Sequence, residues 1–288
     1  LSISSQKKGI LSLVVCACLW STGGLFIKLI SWNAMVLGGF RSAIAAGVLW
    51  VVLCKSGNPR PVINRHTLLT GFFLGSTCSL FVAANKLTTA ANAIVLQSAN
   101  PVFVLLFCAL LKHERITKRD ATVVAIVMGG VALFFLDELS PGGILGNILA
   151  LLSAVMLASA FVFACGSGSL HEGMSGVLFG HLFSALVGLP FVFIFPPQLS
   201  WTSVGSILFL GLFQLGIPYA LFAVGTRYCP PIAVSLICML EPIFNPVWVA
   251  LFLHEIPGLP AIVGGVIVIV TLALWCVDNS KKQVASSN

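Results

Sequence analysis

Three ionisable side chains, Arg41, His181 and Glu241, stand well inside long apolar stretches of this chain. Charge in a hydrocarbon setting is expensive, and residues kept there at that cost are functional-site candidates. An arginine and a carboxylate at one depth can pair with each other. They can also divide a zwitterion between them, the guanidinium taking its carboxylate and the glutamate its ammonium. The two roles are compatible, because a substrate can break the pair. Glu241 is in addition the candidate for proton coupling, since a buried carboxylate can take up and release a proton; uncoupled facilitation is the alternative. His181 can relay protons or gate a mouth, or simply bond a neighbouring helix. Trp20, Gln97, Asn100, Asn147, Gln214, Tyr219 and Asn245 are the further candidate substrate-binding residues. Gln97 and Asn100 are three apart and Glu241 and Asn245 four apart, so each pair shares a helix face. The bland alternative for each amide is a bond between helices, worth ~0.6 kcal/mol on average.

The elements that must position these groups follow from composition. The chain is 58% apolar and 8% charged, against about 25% charged in an ordinary soluble domain. A soluble enzyme, a nucleic-acid-binding protein and a disordered chain are excluded, and a polytopic membrane protein remains. Apolar runs place ten spans near 9–29, 34–54, 67–87, 90–111, 119–136, 144–165, 175–195, 203–226, 231–253 and 259–277. Each has about the ~20 residues a spanning helix needs, and none shows the alternation of a barrel strand. The first run follows Lys7 and Lys8, exceeds the core of a cleavable signal, and reads as a retained span. Twelve of the fifteen Lys and Arg residues fall on the side of the two termini, and only Lys28 and Lys86 fall opposite. The positive-inside rule then puts both termini in the cytoplasm, with the Asp137-Glu138 loop and Trp201 outside. Counting ~1.5 Å per residue, Arg41 lies about 12 Å below the outer boundary and Glu241 about 15 Å above the inner one. His181 lies roughly 10 Å from the cytoplasmic edge on the same count.

An internal repeat organises the spans. Residues 101–114 read PVFVLLFCALLKHE and residues 242–255 read PIFNPVWVALFLHE, so that Pro101 falls on Pro242, Phe103 on Phe244 and His113-Glu114 on His254-Glu255. At the same offset of 141, Gly75 falls on Gly216, Phe81 on Phe222 and Lys86 on Arg227. Asn100 and Glu241 are the equivalent residues just before the matched prolines. Such a proline frees a carbonyl one turn earlier and predicts a broken or kinked helix near the midplane. A unit of five spans is odd, so the second copy enters the membrane inverted. The expected fold class is an all-α membrane protein of ten transmembrane helices in two inverted five-helix repeats, residues 1–138 and 139–288. Inverted repeats are a signature of secondary transporters, with the substrate site between the halves.

Trp20 to Leu29 (WSTGGLFIKL) resembles the opening helix of the drug/metabolite transporter superfamily, in particular its EamA branch. The run from Ala91 through Leu96 and Pro101 to His113-Glu114-Arg115-Ile116-Thr117 is similar to that family's fourth helix, and Pro242 to Glu255 resembles its ninth. Arg41 matches the arginine usual in the second helix. The resemblance covers essentially the whole chain. It implies a ten-helix bundle in which spans 1–4 and 6–9 enclose a central cavity while spans 5 and 10 stay peripheral, and it implies movement of small metabolites or drugs, commonly as export. The chain departs from the pattern at His254-Glu255-Ile256-Pro257, where no basic residue follows the glutamate.

Other chemistry is weakly supported. Gly173-Met174-Ser175-Gly176 has the form used by intramembrane serine proteases, but Ser175 falls at a helix start instead of deep in a cavity. Thr117 breaks a zinc-type H-E-x-x-H, and no nucleotide loop exists. The nine cysteines show no C-x-x-C spacing and read as small buried hydrophobes. Neither a metal nor a cofactor is expected, nor an enzyme. Gly71-x-x-x-Gly75 and the pairs Gly129-Gly130 and Gly264-Gly265 predict close helix packing, either internal or as the seam of a homodimer. The expected partners are a small-molecule substrate, the bilayer and protons, and not nucleic acid. The leading expectation is export of an amino acid or related polar metabolite across the cytoplasmic membrane by alternating access. A multidrug exporter of lipophilic cations is the alternative, and a non-transporting scaffold or receptor the third.

Overall fold

The computed structural model describes residues 3–28, 30–88, 90–111, 113, 116–134, 136, 143–244 and 259–287. The regular elements among the described residues are all helical, without a strand. In chain order the helices are α1 (Ile3–Trp20), α2 (Gly23–Lys28), α3 (Ala34–Lys55), α4 (Arg65–Leu87), α5 (Ala90–Gln97), α6 (Asn100–Leu111), α7 (Lys118–Phe134), α8 (Ile144–Ala164) and α9 (Leu170–Gly188). A 3₁₀ turn (Leu189–Phe193) follows, then α10 (Trp201–Phe209), a π-helical segment (Leu210–Gly216), α11 (Ile217–Tyr228), α12 (Pro231–Cys238) and α13 (Leu259–Ser287). Among the described residues six helical runs are long and apolar enough to cross a membrane, with shorter apolar runs at Pro231–Phe244 and Ile262–Trp275. The pairs Glu114-Arg115, Asp137-Glu138 and His254-Glu255, and Asn245, lie outside the described residues.

Local signals start the helices where they stand. Asn33 accepts from the Met35 amide at the head of α3, and Asn64 and Thr67 form a reciprocal capping box at α4. Such caps satisfy orphan N–H groups of the first turn. Ser169 accepts from the Glu172 amide and so begins α9 at Leu170, five residues before the expected position. The first span is also interrupted, at Ser21-Thr22, which the sequence reading had run through.

Packing shows the duplication directly. α1 lies on α11 as α8 lies on α4; α3 lies on the π segment as α9 lies on α4; α12 lies on α1 as α5 and α6 lie on α8. Three contacts map onto themselves: α3 with α9, α6 with α12, and α7 with α13. α7 and α13, the fifth and tenth spans, pack chiefly on each other and stay at the periphery. Their glycines allow it, since a methyl on Gly130 would stand 3.2 Å from the Gly264 carbonyl. Gly75 likewise meets Gly180 and Phe183 of α9, so both glycine seams serve internal packing. An outer belt of exposed apolar side chains, including Leu110, Ile148, Leu186, Phe193 and Leu274, suits a lipid surround. Trp201, 95% exposed, stands at the head of α10, as an interfacial tryptophan would.

Candidate functional site

Interrupted helices bring the chemistry to the centre. The fourth span breaks at Ser98-Ala99, between α5 and α6. The ninth breaks at Met239, between α12 and a helical stretch over 240–244. The last residues before the two breaks, Gln97 and Cys238, are themselves repeat equivalents, so the matched prolines interrupt both copies at one place.

Around these breaks gather Trp20 from α1, Arg41 from α3, Cys78 from α4, His181 from α9, Tyr219 from α11 and Glu241. Arg41 is within electrostatic reach of Cys78, Tyr219 and Glu241. His181 faces Arg41 and stands edge-on to the Tyr219 ring at 4.4 Å. Trp20 lies 4.9 Å from Tyr219 and 5.8 Å from Phe222, giving the site an aromatic wall. Arg41 and His181 are 5% and 0% exposed, whereas Glu241 is half-buried.

Hydrogen bonds are conspicuously unmade here. The indole nitrogen of Trp20, Nε of Arg41, both ring nitrogens of His181 and Oε1 of Gln214 are buried without a partner. Each such atom costs about 1–3 kcal/mol, so their concentration in one region needs a use. No ion pair or hydrogen bond joins Arg41 and Glu241 to each other or to other described residues. Chemically the site offers a guanidinium for an anion, a carboxylate for a cation, and aromatic faces for an apolar or cationic body. Thr70 is also unpartnered, but it lies beside Gly176, away from this group.

The amides divide. Gln214, on the π segment, donates to the Trp20 carbonyl at 3.3 Å and thereby satisfies an acceptor exposed by the break in the first span. Gln97 donates to Ser153 Oγ at 2.6 Å, a bond between helices. Asn100 donates to the Gln97 carbonyl at 3.2 Å and accepts from Ser235 Oγ at 2.5 Å, joining the two broken spans. Asn147 is placed otherwise than expected. It accepts from Thr88 Oγ1 at 2.7 Å, near the start of α8 and just past the end of α4. Ten residues separate Thr88 from Cys78, about 15 Å along a helix, so Asn147 is remote from the charged centre. Asn245 lies outside the described residues.

His181 also differs from the expectation. With α9 starting at Leu170 it lies about 16 Å into the helix, at the level of Arg41, and it bonds no neighbouring helix. Cys16, Cys78 and Cys238 surround Glu241, which their treatment as anonymous small hydrophobes had missed. A signal for Cys78 existed, because the offset of 141 places it on Tyr219, whose side chain it contacts. A hollow of about 420 Å³ lies on the flank of α3 and α9, lined by Ala46, Gly47, Trp50, Leu178 and Leu182 among others. A second, smaller one lies beside Gly39, Ser79 and Gly188.

The profile of the EamA-like transporter family matches residues 7–136 and again residues 144–276. The chain belongs to that family. Among its relatives is the pseudopaline exporter CntI of Pseudomonas aeruginosa, 26% identical over 274 residues, spanning 92% of this chain and 94% of that protein. An uncharacterized transporter of Archaeoglobus fulgidus is 24% identical over 275 residues, spanning 94% and 97% of the two chains. Human solute carrier family 35 member G1 is 27% identical over 172 residues, 54% of this chain and 47% of that one. A crystal structure at 16% identity superposes with a TM-score of 0.78 over 94% of this chain and 97% of the other, which supports the fold. The protein is thus a multi-pass EamA-like transporter, with ten helices in two repeats and a small-molecule substrate.

Proposed function

We propose that this EamA-like protein is a secondary transporter that exports an amino acid or a related polar metabolite across the cytoplasmic membrane. Its two units, residues 1–138 and 139–288, exchange conformations so that one central site faces each side in turn. Both termini lie in the cytoplasm. The observation that carries this reading is Arg41, unpaired among the described residues, within electrostatic reach of Glu241 and in the same region as buried, unpartnered polar atoms of Trp20, His181 and Gln214. A zwitterion supplies both missing partners at once, and its side chain lies against Trp20, Tyr219 and Phe222. Glu241 carries the coupling proton and His181 lines the path beside Arg41. The Pseudomonas relative is named an exporter, which favours the direction.

The test is counterflow in proteoliposomes, with labelled amino acids and a quaternary ammonium dye offered separately. Amino-acid counterflow that falls about 10–100-fold in Arg41→Gln, the loss expected from a missing charged hydrogen bond of ~1.5–3 kcal/mol, supports the proposal. Counterflow of the dye alone, indifferent to amino acids, overturns it in favour of a lipophilic-cation exporter.

A further inference from the structure

The two broken spans differ by one residue at the decisive place. Pro101 has no N–H to give to the Gln97 carbonyl, and Pro242 has none for the carbonyl of Cys238. In the first copy the deficit is made good, since the Asn100 side chain donates to Gln97 O at 3.2 Å. Its other side accepts from Ser235 and fastens the break to α12. In the second copy the equivalent residue is Glu241. An ionised carboxylate only accepts hydrogen bonds, whereas a carboxylic acid carries one O–H donor.

We propose that Glu241 is the protonation-dependent counterpart of Asn100. As a neutral acid it turns back and donates its O–H to the Cys238 carbonyl, closing the second break as Asn100 closes the first. On losing that proton to water it can no longer donate, releases the carbonyl, and turns to the unpaired Arg41 guanidinium. The ninth span is therefore stiff in one protonation state and hinged in the other, while the fourth is stiff in both. The groups facing Glu241 are Cys16 from α1, Arg41 from α3, Cys78 from α4, Tyr219 from α11 and Cys238 from its own span. Only Arg41 among them is a cation, so the acid has one alternative to the carbonyl. The inference extends the transport proposal, because it says where the coupling proton acts, but it can be read without any substrate.

Infrared difference spectra of the full chain in phosphatidylcholine nanodiscs, between alkaline and acidic buffer, test it. The wild type should gain a carboxylic-acid C=O band at the lowered frequency of a hydrogen-bonded acid, and Glu241→Gln should lose it completely. Pro242→Ala restores the backbone donor to Cys238 and should raise the band to the frequency of a free acid. Asn100→Asp, which places a titratable group at the first break, should add a second hydrogen-bonded acid band and serves if Pro242→Ala does not fold. A Glu241 band at the free-acid frequency in the wild type, or one that Pro242→Ala leaves in place, overturns the proposal. Neither outcome bears on whether amino acids are carried, which counterflow decides separately.

Discussion

α3 and α9, the second spans of the two repeats, are joined differently at the two ends of their seam. They meet where Ser42 and Ser184 hydrogen-bond at 3.1 Å. Towards the start of α3 the backbones are in contact, and a methyl on Gly39 would stand 2.7 Å from the Leu189 nitrogen. On the flank of the same two helices lies the hollow lined by Ala46, Gly47 and Trp50 together with Leu178, Ala185 and Leu189. The loops at the two ends of the seam differ. Over the end of α3 Asn64 donates to Glu172 at 2.6 Å, the Val62 amide donates to Ser175 Oγ at 2.9 Å, and His171 meets the Arg60 carbonyl at 2.9 Å. Over the packed end one bond among the described residues, from the Trp32 indole to the Gln198 carbonyl at 2.7 Å, links the equivalent loops. One end is shut by backbone contact and the other by a polar clasp. A perfectly symmetric duplication would close both alike, so the two ends of this seam have diverged in how they are held.

Four substitutions can break or sharpen this contrast. Gly39→Ala drives the backbones of the packed end apart and should cost about 1–3 kcal/mol, the range for overpacking, read as a lowered Tm in micelles. Glu172→Ala removes the acceptor for Asn64 and for the Gly168 amide. The clasp is partly open to water, so the loss should be about 1.5 kcal/mol, or roughly tenfold faster maleimide labelling of a cysteine placed at Ser167. Trp32→Phe keeps the ring against Phe40 and deletes that donor over the packed end. About 1 kcal/mol and roughly fivefold faster labelling of a cysteine placed at Ser200 are expected. Gly47→Ala, with open space around the added methyl, should raise the Tm slightly, by about half a kcal/mol of stability. Equal responses at Gly39 and Gly47 would remove the contrast.

Much of this was legible in the chain. Pro101 and Pro242 announced both breaks, because a missing N–H is a property of the residue and not of its surroundings. Arg41 and Glu241 could be placed at one depth by counting, since a spanning helix converts sequence number into height. His181 was misplaced because the start of its helix was read from hydropathy. The Ser169-Leu170-His171-Glu172 run is a capping pattern and would have located Leu170. Asn147 was grouped with the centre on residue type alone, although its position at a helix start already argued against it. Which partner each amide takes was not legible, since Gln97 finds Ser153 and Gln214 the Trp20 carbonyl only through the packing of other helices. The unequal closure of the two ends of the α3–α9 seam was equally hidden, because it depends on which loops face each other.

The contact of Cys78 with Tyr219 has one more consequence. The two stand at equivalent places in the copies, and they meet. Where a duplicated chain folds against its own image, such positions are neighbours of themselves, and whatever one copy brings the other brings too. Two tyrosines in that space would collide and two cysteines would leave a gap, so a large ring there requires a small opposite. The ancestry of the molecule thus imposes divergence first at the line where its halves coincide, which is also where its chemistry is concentrated.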